Sequence, residues 1–241
     1  MSRTKIVLAY SGGLDTSVAI PWLQERYEAE IVTMTVNLGN LPEMDTIKDK
    51  ALQTGAISAI TVDVTQEFLE NYAFPSLQAN ATYEGQYHLA TALGRPLITK
   101  HLIQLAQEEG AFAIAHGCTG KGNDQVRFET SAVILDPNIT VLAPAREWNM
   151  TRPEEVEYAI ERGIPVPSGT NPYSTDENIW GRSIESGVLE DPWVKPPDDV
   201  YLWTQSIPDS PESPTEVEIT FESGVPTAVD GDELPAVPLV T

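Results

Sequence analysis

Five short runs rich in β-branched residues, at about 5–9, 30–36, 56–62, 111–115 and 139–143, alternate with amphipathic stretches at about 16–27, 43–54, 66–79, 93–109, 124–135 and 153–162. No other feature constrains the chain as much. Strands separated by helix-length segments pair in parallel through crossovers, so the expected fold is α/β, a twisted parallel sheet with helices on both faces. The last helix carries its own start signal: Thr151 as N-cap, Pro153 in the first turn and Glu154 three residues after the cap. Ligands of such sheets bind beyond the carboxyl ends of the strands.

The texture changes after about Gly163. Nine of the 19 prolines lie beyond residue 191, together with ten acidic residues and a single basic one, Lys195. Residues 192–214 read as an extended connector. Val217, Ile219 and Phe221 then alternate with polar residues ahead of Ser223-Gly224 and a second apolar run, the pattern of a hairpin. The expected division is a first domain at 1–165 and the start of a second at 166–241.

With 36 acidic and 14 basic residues, the formal net charge is −22. Such a field repels nucleic-acid backbones and anionic membranes, so neither is an expected partner. A bound polyanion must then be held by local dipoles and a few cations. No apolar run approaches the roughly 18 residues that cross a bilayer, and MSRTKIVLAYSGG is no signal peptide. A cytoplasmic protein is expected, in which the Asn-x-Thr sequons at Asn80, Asn138 and Asn149 carry no meaning. One cysteine, Cys118, leaves no internal disulfide, and His88, His101 and His116 match no metal-binding spacing, so no protein-built metal site is expected.

The first run leads directly into Ser11-Gly12-Gly13-Leu14-Asp15-Thr16-Ser17, with a helix next. Two glycines let the backbone turn sharply and approach a ligand, while loop amides and the helix N-terminus converge on one spot. Ser11, Thr16 and Ser17 add hydroxyl donors. A Gly-Gly pair after a strand can be only a turn with Ser or Asp capping the helix. The hydroxyl cluster between strand and helix favours a phosphate or pyrophosphate site. Neither G-x-x-x-x-G-K-[ST] nor G-x-G-x-x-G is present, which disfavours γ-phosphoryl transfer and dinucleotide binding. The motif resembles the PP-loop of the N-type ATP pyrophosphatases, which cleave ATP between its α- and β-phosphates. The longer string from Ala9 to Ser17 is similar to that of the argininosuccinate synthases.

Three further blocks resemble the same family, in order and in separation. Tyr83-Glu84-Gly85-Gln86-Tyr87 leads into Thr91-Ala92-Leu93-Gly94-Arg95; His116-Gly117-Cys118-Thr119-Gly120-Lys121-Gly122-Asn123-Asp124 continues to Arg127; Tyr173-Ser174-Thr175-Asp176-Glu177-Asn178 precedes Gly181-Arg182-Ser183. The second block also makes chemical sense unaided. Its three glycines let backbone amides reach a ligand, and Thr119, Lys121, Asn123, Asp124 and Arg127 offer donors and acceptors of both signs. That mixture suits a zwitterionic amino acid, with Arg or amide donors for its carboxylate and Asp for its ammonium. The bland alternative, a polar loop capping the next helix, needs only one such residue.

The resemblance implies that ATP lies along Ala9, Tyr10, Ser11, Gly12, Gly13, Leu14, Asp15, Thr16 and Ser17, near Val36 and against Gly117. It implies that aspartate meets Thr119, Asn123 and Asp124, and that citrulline meets Tyr87, Thr91, Ala92, Asn123, Arg127, Ser174 and Ser183. Read alone, Tyr87 would be core packing, and Ser174 and Ser183 surface hydroxyls. His116 and Cys118 read as packing residues. Two departures stand out: Val36-Asn37-Leu38-Gly39-Asn40 occupies the place of the family's common Ala-Asp-Val-Gly-Gln, and Ala92 that of a common hydroxyl.

The implied architecture is an adenine-nucleotide-binding PP-loop domain at 1–165, then the start of an α+β synthetase domain at 166–241. The implied reaction is ligation of citrulline to aspartate through citrullyl-AMP, in arginine biosynthesis. Mg²⁺ accompanies ATP, with Asp15 the nearest residue to organise it, and no general base of strongly shifted pKa is expected. Family members continue to a C-terminal helix used in tetramer assembly and draw further citrulline contacts from beyond residue 241. This length therefore leads to the expectation of a folded nucleotide-binding domain that binds ATP weakly, without the family's tetramer or normal turnover. The alternatives are a truncated non-catalytic nucleotide-binding module and another PP-loop adenylating synthetase; the acidic charge and lone cysteine argue against tRNA thiolation.

Overall fold

The computed structural model describes residues 4–39, 44–166 and 173–241. Asn40, the expected helix start at Glu43 and residues 167–172 next to the expected domain boundary lie outside these. From the N-terminus the chain runs β1 (Lys5–Ala9), α1 (Leu14–Tyr27), β2 (Glu30–Asn37), α2 (Met44–Gln53), β3 (Ser58–Asp63), α3 (Thr65–Phe68), a π-helical turn (Leu69–Ala73), α4 (Phe74–Gln78), α5 (Ala90–Glu109), β4 (Ala113–Ala115), α6 (Asp124–Leu135), β5 (Thr140–Leu142), α7 (Pro144–Glu147) and α8 (Arg152–Glu161). β6 (Ser174–Asn178), β7 (Gly181–Glu185), β8 (Ile219–Glu222), β9 (Val225–Val229), β10 (Asp232–Glu233) and α9 (Ala236–Val240) follow. Among the described residues no helix is long and apolar enough to cross a membrane.

These elements pack as two units, Met1–Phe68 with Ala92–Ser168, and Leu69–Thr91 with Gly169–Thr241. In the first, five parallel strands lie in the order β3-β2-β1-β4-β5. Ile6, Leu8 and Ile31 pack on one face with Ala19, Ile20 and Leu23 of α1 and Ala51 of α2. Val7 and Val32, which alternation turns to the other face, are equally buried, so helices and loops cover both faces. The chain adds β2 and β3 on one side of β1, then returns to place β4 on the other. The carboxyl ends of β1 and β4 therefore flank the point where strand order reverses, which is where open α/β sheets take their ligands.

The expected 66–79 helix is broken into α3, the π turn and α4. Pro75 has no N–H to close an α-helical bond to the carbonyl four residues back, and periodicity does not register that loss. The segment 69–91 belongs to the second unit, so packing does not divide the chain at a single point near 165. There Leu69, Ala73 and Phe74 are buried beneath Ile179, Trp180, Val225, Val237 and Leu239, with Phe74 edge-on to Trp180 at 6.2 Å. β8 and β9 form the expected hairpin, turned by Ser223 and Gly224 at φ 52° and 82°. Strand β9 and the following α9 pack on the Leu69–Phe74 stretch, while β8 stays exposed. The β6–β7 hairpin has no hydrophobic alternation and was not expected as a pair of strands.

Candidate active site

Strand β1 ends at Ala9, and Tyr10 is the last residue held by the sheet: its N–H donates to the Met34 carbonyl and its carbonyl accepts from the Thr35 hydroxyl. The loop after it is built largely from its own hydroxyls. Ser17 Oγ bonds the Gly13 carbonyl at 2.7 Å and lies 3.0 Å from the Tyr10 hydroxyl, while Ser11 Oγ lies 3.2 Å from Thr16 Oγ1. Gly12 takes φ +78°, which a side chain strains to adopt, and Gly13 is the extended N-cap of α1. Because Gly13 can cap, α1 starts at Leu14 rather than at Thr16. Tyr10, Leu14, Thr16 and Ser17 are buried, so they shape the loop; Ser11 and Gly13 are exposed and Gly12 half-exposed, leaving those groups to meet a ligand.

Two cations reach the loop from elsewhere. Arg152, in the first turn of α8, pairs with Asp15 and with the buried Glu155. Thr151 holds that helix start in a capping box, its N–H and hydroxyl both donating to Glu154 at 2.7 Å. Burial, reinforced by the nearby Asp15, pushes the Glu155 carboxyl up to about 7. Lys50 of α2 donates to the Gly12 carbonyl at 2.7 Å. The sequence offered a signal for the α8 start through its capping box and none for Lys50.

Val36 is half-buried on β2, and the neighbouring departure from the family pattern has a local cause. Asn37 donates its side-chain amide to Asp63 at 2.9 Å and accepts the Gly39 N–H at 2.9 Å. An aspartate at 37 would set two carboxylates against each other. Burial alone would raise the Asp63 carboxyl, but the Thr65 amide and hydroxyl and the Asn37 amide outweigh it and hold it below its ordinary value.

The second glycine loop leaves β4. An added Cβ on Gly117 would lie 2.8 Å from Thr16 Cγ2, so the segments that follow β1 and β4 touch there. His116 is buried and stacked on Phe128 at 5.1 Å, and its Nδ1 accepts the Cys118 N–H. Burial holds its pKa at about 4, so the ring is neutral and serves packing and loop shape. Gln125 ties down the Gly120 and Gly122 carbonyls, and Arg146 bonds Gln125 and Glu129. Thr119 and Asn123 are exposed, and Asn123 makes no side-chain capping bond, so it is free of the bland capping role.

Asp124 is paired within the chain. Arg95 reaches its Oδ2 at 2.8 Å through Nε and 2.7 Å through a terminal nitrogen, and Arg127 reaches Oδ1 at 2.6 Å. Both oxygens are therefore already bonded to guanidinium groups, and the trio carries one net positive charge rather than a free carboxylate. Arg95 stands in one of the family-like sequence blocks, and only the fold brings it to Asp124.

In the second unit, Tyr83 and Tyr87 close a tight turn through Glu84 and Gly85, both at positive φ. Ser183 Oγ lies 3.4 Å from the Tyr87 hydroxyl. Ser183 pairs with Asp176 and Ser174 with Glu185, so alternation places Ser174, Asp176, Ser183 and Glu185 on one face of the β6–β7 hairpin. Asn178 anchors that hairpin by donating to the Ala90 carbonyl at 2.9 Å, and Gly181 sits where a Cβ would lie 3.2 Å from Ala90. Thr91 and Ala92 follow in the first turn of α5. Tyr87, Thr91, Ser174 and Ser183 thus belong to the second unit, and Ala92, Asn123 and Arg127 to the first.

Residues 5–165 match the family model described as the arginosuccinate synthase N-terminal HUP domain, and residues 173–241 match the arginosuccinate synthase C-terminal domain. Curated relatives named argininosuccinate synthase include those of Brevibacillus brevis, 53% identical over all of this chain and 58% of its own length, and Symbiobacterium thermophilum, 53% identical over all of this chain and 60% of its own. The relative from Dictyoglomus turgidum is 52% identical and is covered over 60% of its length. The chain thus spans about 60% of the length of the curated relatives it matches. A solved structure from Methanocaldococcus jannaschii, described as a predicted subunit of tRNA methyltransferase, aligns over 66% of this chain and 76% of its own at 15% identity and a TM-score of 0.47, too distant to bear on function. With two family models matched in order across both units, and relatives above half identity throughout, the chain belongs to the argininosuccinate synthase family.

Proposed function

We propose that the chain acts in the ATP-dependent ligation of citrulline and aspartate to argininosuccinate, by way of citrullyl-AMP, with release of AMP and pyrophosphate. The observation that carries this reading is the Ser11–Gly13 loop at the strand-order reversal, followed at once by Thr16, which lies against Gly117 of the second glycine loop. Exposed amides and the Ser11 hydroxyl, backed by the N-terminus of α1, suit the charge that builds on a departing pyrophosphate. The ureido oxygen of citrulline attacks the α-phosphorus; the aspartate amine then displaces AMP from the activated carbon.

Thr119 and Asn123 supply neutral donors and acceptors for aspartate. Asp124, held by Arg95 and Arg127, orients the site and keeps lone pairs for the substrate ammonium, while the spare guanidinium donors of Arg127 suit a substrate carboxylate. The Tyr87 and Ser183 hydroxyls, with Ser174 on the same hairpin face, suit the polar ends of citrulline. Thr91 would donate its hydroxyl, and Ala92 only its backbone. Mg²⁺ enters with ATP as part of the substrate, shielding the phosphate charge. Asp15 is committed to Arg152, so an ion brought in with ATP would draw on phosphate oxygens and water rather than on this carboxylate. This chain is expected to work in the cytoplasm without forming the homotetramer of the longer family members, and light scattering tests its size.

Pyrophosphate release is measured with ATP, citrulline and aspartate, each omitted in turn. The expected result is that ATP and citrulline are both required. Labelled ATP yielding ADP and phosphate would overturn the assignment of α,β-cleavage.

A further inference from the structure

The pyrophosphate loop faces an electrostatic deficit. Its only charged residue is Asp15, and Arg152, which reaches that end of α1, is shared between Asp15 and Glu155. A pyrophosphate group brings several negative charges into a chain whose own formal charge is −22. Backbone dipoles help, but the motif has no lysine of its own to match them.

Helix α2 supplies one from outside. Ile47 packs against Gly12, where an added Cβ would lie 3.3 Å from it, and one turn later Lys50 reaches the Gly12 carbonyl at 2.7 Å. The ammonium is half-buried and, among the described residues, pairs with no carboxylate, although the chain has 36 acidic residues. Burial accordingly lowers its pKa, the mark of a cation under-compensated in this state. The carbonyl it holds belongs to the same peptide unit as the Gly13 N–H. That N–H donates to Ser11 Oγ at 3.3 Å, and a cation on the oxygen end polarises the peptide and strengthens the N–H as a donor, to the hydroxyl here or to a bound phosphate.

We propose that Lys50 is the countercharge of the pyrophosphate site, holding the loop through Gly12 and compensating the leaving group with its ammonium. This rests on the reading that the loop binds the β,γ-phosphates of ATP. A purely structural lysine would need only its hydrogen bond to Gly12; a countercharge needs its positive charge as well.

Two substitutions separate these roles. Lys50→Gln keeps an N–H donor for the Gly12 carbonyl and loses the charge, while Lys50→Arg keeps both. Calorimetry compares ATP, inorganic pyrophosphate and AMP on each protein at low and high salt, with thermal unfolding to confirm the fold. The expected result is that Lys50→Gln weakens ATP and pyrophosphate by about 10- to 100-fold, leaves AMP within about twofold, and flattens the salt dependence. Lys50→Arg should recover most of the loss. Equal weakening of ATP and AMP, or wild-type affinity in Lys50→Gln, overturns the inference and leaves Lys50 a structural clamp. A wild-type protein that binds neither ATP nor pyrophosphate overturns the nucleotide reading and this inference together.

Discussion

The two glycine loops leave neighbouring parallel strands, β1 and β4, and touch at Thr16 and Gly117, yet they are built on different principles. The first is tied internally by hydroxyls and presents backbone donors; its cations arrive from α2 and α8. The second is tied down by the Gln125 side chain of its own helix start, itself held by Arg146 from outside, and Asp124 and Arg127 there join Arg95 of α5 in a trio of both signs. Backbone dipoles suit an anion of diffuse charge and any orientation. Fixed side-chain charges suit a zwitterion, whose two ends must be told apart.

The sharpest way to break this pairing is at the contact itself. Gly117→Ala sets a methyl group against Thr16 and should lower ATP affinity by about 100-fold, or ~2.8 kcal/mol. The obstructing atom is the threonine methyl, so Thr16→Ser in the same protein should restore much of the binding by calorimetry. A double variant no better than Gly117→Ala alone would mean that the loops are not coupled there.

The second loop also carries a pH signature. His116 has a folded pKa of about 4, below its ordinary 6.5, so unfolded chains take up the proton first as pH falls. The stability from the neutral ring is present above about pH 6.5 and lost as pH drops towards 4, by up to ~3 kcal/mol. Glu155, beside the first loop, works in the opposite direction: raised to about 7 from 4.5, it favours the fold at low pH and loses that contribution as pH rises through 7. Urea unfolding of the wild type and His116→Phe from pH 7 to 4 should show the acid-side loss only in the wild type. Parallel curves would refute a buried neutral imidazole.

Arg95→Ala tests whether side-chain charge defines the second loop alone. It leaves Asp124 with one guanidinium and should raise the KM for aspartate or citrulline roughly tenfold, about 1.4 kcal/mol, with ATP affinity unchanged. An equal loss for ATP would erase the distinction between the loops. The smallest effect belongs to Thr151→Ala, which removes the cap that presents Arg152 to Asp15. It should cost about 1 kcal/mol in thermal or urea unfolding, and no measurable cost would show that the box is dispensable.

Much of this is legible in the sequence. The strand–helix alternation announced the parallel sheet because hydrophobic burial imposes a period on each element, and that period is local. The Thr151 cap and the Ser223-Gly224 turn were readable for the same reason: their partners lie within a few residues. The β6–β7 hairpin escaped notice because its strands, STDEN and GRSIE, have no apolar face to alternate. The π turn escaped because Pro75 breaks a helix whose hydrophobic pattern continues through it.

The sequence by itself determined the sheet, the two glycine loops and the family, since each is written in contiguous residues or in ordered motifs. Tertiary structure alone decided which charges stand together. Lys50 lies 38 positions from Gly12, Arg95 lies 29 from Asp124, and Arg152 lies 137 from Asp15. Those pairings depend on strand order and helix placement, and Coulomb interactions fall off with distance in space, whatever the separation along the chain.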